Sequence, residues 1–304
     1  QIKLANGSTV PAAAYGTFHS DWAQDLMYDA TLEAIRVGWR HIDTARAYEN
    51  EDIVGAAFKE AIKRGYALRM IGVPKTIDND LPHTDHCPGY GSVVKYDATT
   101  VMEIAKDVGS MATEEGACCV IEVMGRAAGW VAAGTVLGKR RPEDAPHIIL
   151  LPEIPFDPAP FLQKVKETID ALKYCVVVVG EGLRRTDGQE MSADKTRVDA
   201  FGHPILSGAA ERVAESIQDS LKTKTRTVKL GYAQRAASHW ASATDVAEAA
   251  ACGEAAVRAA VEGKSGFMVK LVRKQNDPYE WETGLHSLVE VANAEHMIPR
   301  EWIS

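Results

Sequence analysis

Seven residues in the first third of the chain carry groups that suit the transfer of a phosphoryl group. Residues 74–80 read Pro-Lys-Thr-Ile-Asp-Asn-Asp and directly follow the apolar run Met70–Val73. The run predicts a short buried strand, and open α/β folds bind ligands at the carboxyl edge of such strands. At that edge the turn would present Asp78 as a base, Lys75 as a cation and Thr76 as a hydroxyl group.

The elements that must position this turn follow from the alternation of apolar runs with helical patterns. This alternation predicts an α/β fold, and the runs rich in Val and Ile are typical of parallel strands covered on both faces. The predicted strands are 12–15, 40–43, 70–73, 118–122, 147–151, 174–179, 227–232 and 268–272. The predicted helices are 25–37, 50–63, 98–114, 127–139, 159–172, 208–221 and 244–262.

The composition narrows the class of protein. The 304 residues carry a formal net charge of −8, which argues against a nucleic-acid partner because such a partner needs a basic face. No apolar run reaches about 18 residues, so we expect no membrane span. The five cysteines, an odd number in a long chain, indicate free and mostly buried thiols in a reducing, cytoplasmic compartment.

Residues 1–69 resemble the beginning of an aldo-keto reductase. The resemblance lies in Gly16-Thr17, in the segment 40–51 and in Val54-Gly55. It implies a βαβα piece of a (β/α)₈ barrel, with Tyr48 as proton donor to a carbonyl and Asp43 as its electrostatic partner. Lys75 lies where that family has the lysine that lowers the pKa of the tyrosine.

The alternative for this segment is structural, with Asp43 capping a turn and Tyr48 packing on a rim. The strands that would hold a nicotinamide cofactor have no counterpart in the sequence, and two βα units do not close a barrel. Carbonyl reduction is therefore the least favoured of the functional hypotheses.

Residues 70–304 resemble a phosphofructokinase, and more closely the pyrophosphate-dependent branch of that family. The order and spacing of several short motifs carry the resemblance. The motifs lie at residues 74–80, 87–92, 122–126, 152–153, 180–182, 231–235, 291–295 and 299–303. The resemblance implies a parallel-sheet fold with two Rossmann-like domains, in which the amino-terminal part is replaced here by the barrel-like piece.

The same resemblance implies a role for each residue of the motifs. Asp78 would be the base that takes the proton of the sugar 1-hydroxyl, with Lys75 and Arg126 stabilising the charge on the transferred group. The residues that would bind substrate are Thr76, Ile77, Asp80, Met124, Gly125, Glu181, Tyr232, Gln234 and Arg235. The alternative for Asp78 is a turn that it closes with its own side chain, and a lone arginine is more often a solvated or paired residue.

Lys75 bears on the phosphoryl donor, because ATP-using relatives have a small glycine at this position. A lysine implies pyrophosphate as donor, with fructose 6-phosphate as acceptor and Mg²⁺ as cofactor, although the sequence does not assign the metal ligands. In this family one arginine usually reaches the site of a neighbouring subunit, so the resemblance also implies a homo-oligomer.

One departure from the family pattern concerns the phosphoryl donor. The glycine-rich donor loop and the Gly-Gly-Asp metal loop of a phosphofructokinase do not occur in residues 1–69. The sequence thus favours a chimera of two families, with impaired transfer as one expectation. Sugar-phosphate binding without catalysis and an inert scaffold stay open as alternatives.

Overall fold

The computed structural model of the chain describes residues 2–3, 9–10, 14–17, 24–39, 42–44, 50–66, 68–191, 193–198, 204–206 and 208–303. The chain divides into two compact units. The first unit comprises residues 1–69 and 194–205, and the second comprises residues 70–193 and 206–304. The sequence division at residue 70 assigned 194–205 to the second part, whereas these residues belong to the first unit.

The first unit contains two small sheets and two helices. Its elements are β1 (Ile2–Lys3), β2 (Thr9–Val10), β3 (Tyr15–Gly16), α1 (Gln24–Arg36), β4 (Ile42–Asp43) and α2 (Glu51–Lys63). The strands β1 and β2 pair antiparallel, and β3 and β4 pair parallel. The buried residues Ile35, Ala57 and Ala61 lie on α1 and α2, which pack together.

Buried polar residues fix the connection between β3, β4 and α2. The backbone N–H and the hydroxyl of Thr17 both donate to the carbonyl oxygen of Asp43, at 2.9 and 3.0 Å. The buried side chain of Asn50 donates to the carbonyl oxygen of Thr17 at 2.7 Å. These bonds hold the carboxyl ends of β3 and β4 and the start of α2 in one cluster.

The second unit alternates strands with helices along the chain. Its elements are β5 (Ile71–Gly72), α3 (Tyr90–Ser110), β6 (Ala117–Val123), α4 (Trp130–Gly134), β7 (Ile148–Leu150), α5 (Pro158–Leu172), β8 (Tyr174–Gly180), α6 (Ala209–Leu221), β11 (Thr225–Lys229), α7 (Ala233–Ala236), α8 (Ala243–Val261), β12 (Phe267–Gln275), β13 (Glu280–Ser287) and α9 (Leu288–Val291). Between β8 and α6 the chain forms β9 (Ala193–Val198) and β10 (Pro204–Leu206), which pair with each other. Short 3₁₀ helices cover Thr135–Gly138, Ser238–Trp240 and Arg300–Trp302.

A parallel four-stranded sheet in the order β11-β6-β8-β7 forms the centre of the second unit. Successive side chains of a strand point to opposite faces, and both faces of this sheet are buried. Val120 of β6 clusters with residues of α5 and α6, whereas its neighbour Ile121 clusters with residues of α3. This two-sided burial explains the nearly continuous apolar runs of β6 and β8.

A second sheet of three strands has the order β13-β12-β5. Its strand β12 pairs antiparallel with β13 and parallel with β5. Helix α8 packs against it through Cys252 and Ala256, which meet Val269 and Leu271 of β12. The predicted strand at 70–73 is therefore reduced to two residues and joins this sheet. The strand β13 was not predicted.

The predicted helix at 127–139 forms only in part. Helix α4 starts at Trp130, has five residues and continues as a 3₁₀ turn over Thr135–Gly138. A Cβ atom at Gly134 would lie 2.5 Å from Val94, and one at Gly138 would lie 2.8 Å from the carbonyl oxygen of Ala98. These two glycines therefore allow close packing against α3.

Helix α3 begins eight residues before its predicted start. Its N-cap residue is Gly89, which has no side chain to accept the first backbone N–H groups. Asp245 of α8 replaces that cap by accepting hydrogen bonds from the N–H groups of Gly89 and Ser92, at 2.7 and 3.0 Å. A cap supplied from about 150 residues away leaves no signal in the local sequence.

The five cysteines are free and buried, as the sequence predicted. Within the described residues, no helix combines the length and the apolar character that crossing a bilayer requires.

Candidate active site

The turn after β5 is held in shape by its own polar side chains. The hydroxyl of Thr76 accepts a hydrogen bond from the N–H of Asp78 at 3.1 Å. Asn79 is buried with φ at +58°, a conformation that asparagine tolerates better than most residues, and its Oδ1 accepts the N–H of Cys87 at 2.9 Å. Ile77 packs against the apolar core. The turn therefore fixes the backbone on both sides of Asp78.

The loop after β6 contains Met124, Gly125 and Arg126, and a buried glutamine fixes its start. The Oε1 atom of Gln234 accepts the N–H of Met124 at 3.1 Å, and its Nε2 atom donates to the carbonyl oxygen of Gly231 at 3.0 Å. Gln234 thus joins the loop after β6 to the segment after β11, and its role in the described structure is to position that loop.

One glycine allows the loops after β6 and β8 to touch, and a second shapes the loop after β6. A Cβ atom at Gly182 would overlap the carbonyl oxygen of Arg126, and one at Gly125, where φ is +123°, would lie 2.8 Å from the carbonyl oxygen of Ala128. The N–H of Glu181 donates to the carbonyl oxygen of Val123 at 3.0 Å. These contacts bring Glu181 and Arg126 to the same edge of the parallel sheet.

Two carboxylates meet the backbone of this loop. The N–H of Arg126 donates to the carboxylate of Asp78, and the N–H of Gly125 donates to the carboxylate of Glu181. Burial raises the pKa of Asp78 to about 6, with a further contribution from the negative charge of Asp80. Burial likewise raises the pKa of Glu181 to about 7, with a further contribution from Asp78. Raised pKa values in neighbouring acids are typical of functional sites.

Two arginines act on Asp78, and one of them, Arg126, also acts on Glu181. The positive charges of Arg235 and Arg126 oppose the rise in the pKa of Asp78. Arg126 is exposed, and the guanidinium of Arg235 lies over the ring of the exposed Tyr232, 4.7 Å from the ring centre. The edge therefore combines buried acids with cations that are open to solvent and available to an anion.

The structure brings most of the predicted residues of the second unit together at this edge. Asp78, Asp80, Glu181, Arg126 and Arg235 interact electrostatically. Lys75 is exposed at the beginning of the turn.

The predicted residues of the first unit are less well defined. Asp43 ends β4 with an exposed side chain, and Tyr48 lies outside the described residues.

Sequence reasoning missed Asn79 and Gly182 as residues that shape the site. An asparagine between two aspartates and a glycine on either side of Glu181 were the available signals. It also missed a group of His83, His286 and Glu290, whose ligand atoms lie within 4.8 Å of one another. His83 lies far from His286 and Glu290 in the sequence, so no local motif indicates that the three side chains meet.

Comparison with known proteins adds the family to this geometry. The model of the phosphofructokinase family matches residues 40–260. The chain is 45% identical over 241 residues to the pyrophosphate–fructose 6-phosphate 1-phosphotransferase of Halomonas elongata. It is 46% identical over 242 residues to the enzyme of the same name from Methylococcus capsulatus. These matches cover 79% and 80% of this chain but only 57% of each relative.

A solved structure gives the same result for the fold. The pyrophosphate-dependent phosphofructokinase of Marinobacter aquaeolei superimposes with a TM-score of 0.77 at 38% identity, over 91% of this chain and 66% of that one. Residues 70–304 are less than four fifths of the chain, so this likeness extends into residues 1–69. The α/β fold with its parallel sheet, the sequence matches and the family model agree. The chain belongs to the phosphofructokinase family.

Proposed function

We propose that the chain provides the catalytic base and the sugar-phosphate site of a pyrophosphate-dependent phosphotransferase. The acceptor would be the 1-hydroxyl of fructose 6-phosphate. The observation that carries the proposal is the carboxylate of Asp78, which is held by the N–H of Arg126 beside Glu181. The donor and acceptor are proposed from the names of the relatives in Halomonas and Methylococcus, of which the chain spans 57%.

Each group at the edge has a role in this reaction. A base near its operating pH is the most effective, and a pKa of about 6 leaves Asp78 mostly ionised at pH 7 and able to take the hydroxyl proton. Arg126 and Arg235 present planar cations that suit phosphate oxygens. Glu181 would accept hydrogen bonds from sugar hydroxyls. Thr76, Ile77, Met124, Gly125, Tyr232 and Gln234 are proposed to shape or line the sugar site.

Lys75 is proposed to interact with the phosphoryl donor. Its exposed ammonium group, three residues before the base, would supply a positive charge for pyrophosphate. The ammonium group would stabilise charge on the transferred group together with Arg126. We also propose a homo-oligomer, in which an arginine of one subunit completes the sugar-phosphate site of its neighbour.

Magnesium is proposed as the cofactor, and the residues of the turn fit it. Mg²⁺ is usually held by one or two carboxylates together with waters and substrate phosphates, so a cage of three protein ligands is not needed. Asp80 lies close enough to Asp78 to raise its pKa, which gives the turn two neighbouring carboxylates. Asp80 would hold the ion, which supplies charge neutralisation for the phosphates when it is bound.

A coupled assay with pyrophosphate, Mg²⁺ and fructose 6-phosphate tests the proposal. We expect turnover by the wild-type chain and a rate lower by about 10²–10⁴ in Asp78→Asn, the usual worth of a general base. Asp219→Asn, the same change on the exposed face of α6, is the matched control and should keep the wild-type rate. Equal rates for wild type and Asp78→Asn would refute the assignment of the base.

The second candidate function is binding of the sugar phosphate without phosphoryl transfer. It is favoured because Arg126 and Arg235, the cations that would bind the phosphate, both lie in the second unit. It predicts that calorimetry detects fructose 6-phosphate while the assay shows no turnover. Arg235→Gln should then weaken binding, and Arg212→Gln on α6 should leave it unchanged. If millimolar sugar phosphate gives no measurable heat and the assay shows no turnover, only the hypothesis of an inert scaffold is left.

The composite origin of residues 1–69 stays a proposal. Its support is the motif around Asp43 and the β3-α1-β4-α2 order with parallel strands, which occurs both in barrels and in doubly wound sheets. The matches that extend upstream of residue 70 count against it. Oxidation of NADPH with an aldehyde, abolished by Tyr48→Phe, is the observation that would support a reductase remnant.

A further inference from the structure

We propose that residues 294–298, here called the strap, position the turn that carries Asp78, and that the indole N–H of Trp130 holds the strap in place. The strap lies between α9 and the 3₁₀ helix at Arg300–Trp302 and is itself neither helix nor strand. The catalytic part of this inference rests on the proposed function, because it takes Asp78 as the base. The part that concerns the position of the turn rests on contacts within the second unit.

The strap is bonded to the end of the turn after β5. The N–H of His296 donates to the carbonyl oxygen of Asp80 at 2.8 Å. Other bonds that shape this turn come from its own neighbourhood, through the hydroxyl of Thr76 and the side chain of Asn79. The bond from His296 therefore ties the turn to a segment that is distant in the sequence.

Trp130 holds the strap from the side of the loop after β6. Its indole N–H donates to the carbonyl oxygen of His296 at 2.6 Å, and the two rings lie together with their centres 4.8 Å apart. The carbonyl oxygen of Trp130 accepts the hydroxyl of Tyr90 at 3.0 Å, which fixes the residue in turn. Trp130 is the first residue of α4, the helix that follows the loop containing Arg126. His296 thus joins that helix to the turn with Asp78.

Glu153 and the apolar core hold the other end of the strap. The Oε1 atom of Glu153 accepts the N–H of Ile298 at 3.1 Å and that of Gly129, the N-cap residue of α4, at 2.9 Å. Ile298 is buried in the core cluster that also contains Ile121 of β6. The strap is therefore fixed to α4 and to the core, and its bond to Asp80 transmits that position to the turn.

The turn needs this anchor because the strand before it is short. The strand β5 contributes only Ile71 and Gly72 to its sheet. A reacting group that is displaced by about 1 Å can lower a rate by about 10²-fold. The strap opposes such a displacement of Asp78 through bonds that involve no substrate. Loosening it should therefore lower the rate and leave the binding of sugar phosphate unchanged.

Hydrogen exchange of the folded chain, measured by mass spectrometry, tests whether the strap holds the turn. Trp130→Phe keeps an aromatic ring but removes the N–H that binds the strap. We expect peptides that contain residues 76–80 to exchange about 5-fold faster in this variant, because the loss of one hydrogen bond favours local opening. Unchanged exchange of these peptides would overturn the proposal.

Trp302→Phe is the matched control for that measurement. The ring of Trp302 meets the ring of Trp130 edge-to-face, with centres 6.1 Å apart, but the residue lies outside the strap. Residues 76–80 should therefore exchange in Trp302→Phe as they do in the wild-type chain. Equal acceleration in both variants would assign the effect to ring packing and would refute the role of the indole N–H.

The coupled assay, together with calorimetry of fructose 6-phosphate, tests the catalytic consequence. In Trp130→Phe we expect kcat to fall about 10-fold, while the sugar phosphate binds with the wild-type affinity and the wild-type stoichiometry. A variant that is merely partly unfolded would lose stoichiometry in proportion to kcat, and this result would overturn the positioning role, as would a wild-type kcat. If the wild-type chain shows no turnover, the proposed function fails, whereas hydrogen exchange still decides whether the strap holds the turn.

Discussion

Asp78 and Glu181 show how burial and hydrogen bonding compete in setting the state of a carboxylic acid. Each accepts an N–H from the loop after β6, which favours the charged form and lowers the pKa. Burial outweighs this effect in both, and the pKa values rise to about 6 and about 7. Burial therefore places both acids close to neutrality in pKa, well above the usual range of a carboxylic acid.

The pH dependence of the proposed reaction follows from the pKa of Asp78. A base acts when deprotonated, so the rate should fall as the pH falls through about 6. Because the charge of Asp80 contributes to the raised pKa, Asp80→Asn should move this acidic limb to lower pH, whatever its effect on the maximal rate. The measurement is kcat/KM between pH 5 and pH 8.

The control for that experiment is Asp187→Asn, which changes an exposed loop residue and should leave the limb in place. A limb that stays near pH 6 in Asp80→Asn would contradict the electrostatic coupling of the two aspartates.

At the scale of elements, α3 depends on α8 for its amino-terminal cap. The carboxylate of Asp245 accepts the N–H groups of Gly89 and Ser92 and the hydroxyl of Ser92. In return the hydroxyl of Ser92 accepts the N–H of Ser242, the N-cap residue of α8, at 3.1 Å. The starts of the two helices are thereby joined through polar groups, and the segment that forms α3 does not specify its helix start alone.

Removal of this cap should destabilise the second unit. Asp245→Ala leaves the N–H groups of Gly89 and Ser92 without their acceptor, which costs about 1–3 kcal/mol in free energy of unfolding. Urea denaturation followed by circular dichroism measures the loss. Asp219→Ala on the exposed face of α6 should change the same quantity by less than about 0.5 kcal/mol. A loss no larger than this in Asp245→Ala would contradict the capping role.

A buried ionic network fastens the turn after β5 to α8 and β12. His86 donates to Asp85 at 2.7 Å and to Glu248 at 2.8 Å, with Arg273 also bound to Asp85 and Tyr279 to Glu248. Burial alone would lower the pKa of His86, but the hydrogen bonds to the two carboxylates outweigh it and raise the pKa. The two carboxylates therefore favour the imidazolium form of His86 in the folded chain.

The stability that this network provides should depend on pH. Because the pKa of His86 is higher in the folded than in the unfolded chain, its protonation adds to the free energy of unfolding. This contribution is complete at pH values below the unfolded pKa of about 6.5, and it is lost as the pH rises through the folded pKa. His86→Gln should therefore cost about 3 kcal/mol or more near pH 6 and less near pH 9, because it leaves Glu248 buried without its charged partner. Urea denaturation at both pH values measures this, with the exposed His239→Gln as control. An equal loss at both values would refute the ionic role.

At the scale of the whole molecule, the sequence predicted the elements whose own residues form a clear apolar pattern. It missed the elements whose bounds depend on residues distant in the sequence. The runs that became β6 and β8 were recognised because burial on both faces leaves a continuous apolar pattern. The start of α3 was missed because Asp245 supplies the cap. The edge strand β13 was missed because its residues are only partly buried and mixed in polarity.

The candidate site was predicted to a similar extent. Asp78, Arg126 and Glu181 were predicted because their motifs resemble those of a phosphofructokinase, and each of these motifs follows an apolar run. The pairing of each acid with one N–H of the loop after β6 was not predicted, because it depends on the contact between Gly182 and Arg126 across two loops.

The cysteines allow a test that applies to the whole chain. All five are buried, and burial raises the pKa of Cys87 and Cys119 to about 12 and that of Cys252 to about 11. Thiols react as thiolates, so modification by a disulfide reagent at pH 8 should be slow in the native chain. After unfolding in guanidinium chloride all five should react rapidly. Rapid modification of any thiol in the native chain would contradict this packing.

The proposed base and the groups proposed to bind the sugar phosphate come from different sheets. Asp78 follows β5 of the three-stranded sheet, whereas Arg126, Glu181 and Arg235 follow strands of the parallel four-stranded sheet. The spacing between the proposed proton acceptor and the proposed phosphate-binding cations is therefore set by the packing of the two sheets, and not by any single strand or loop.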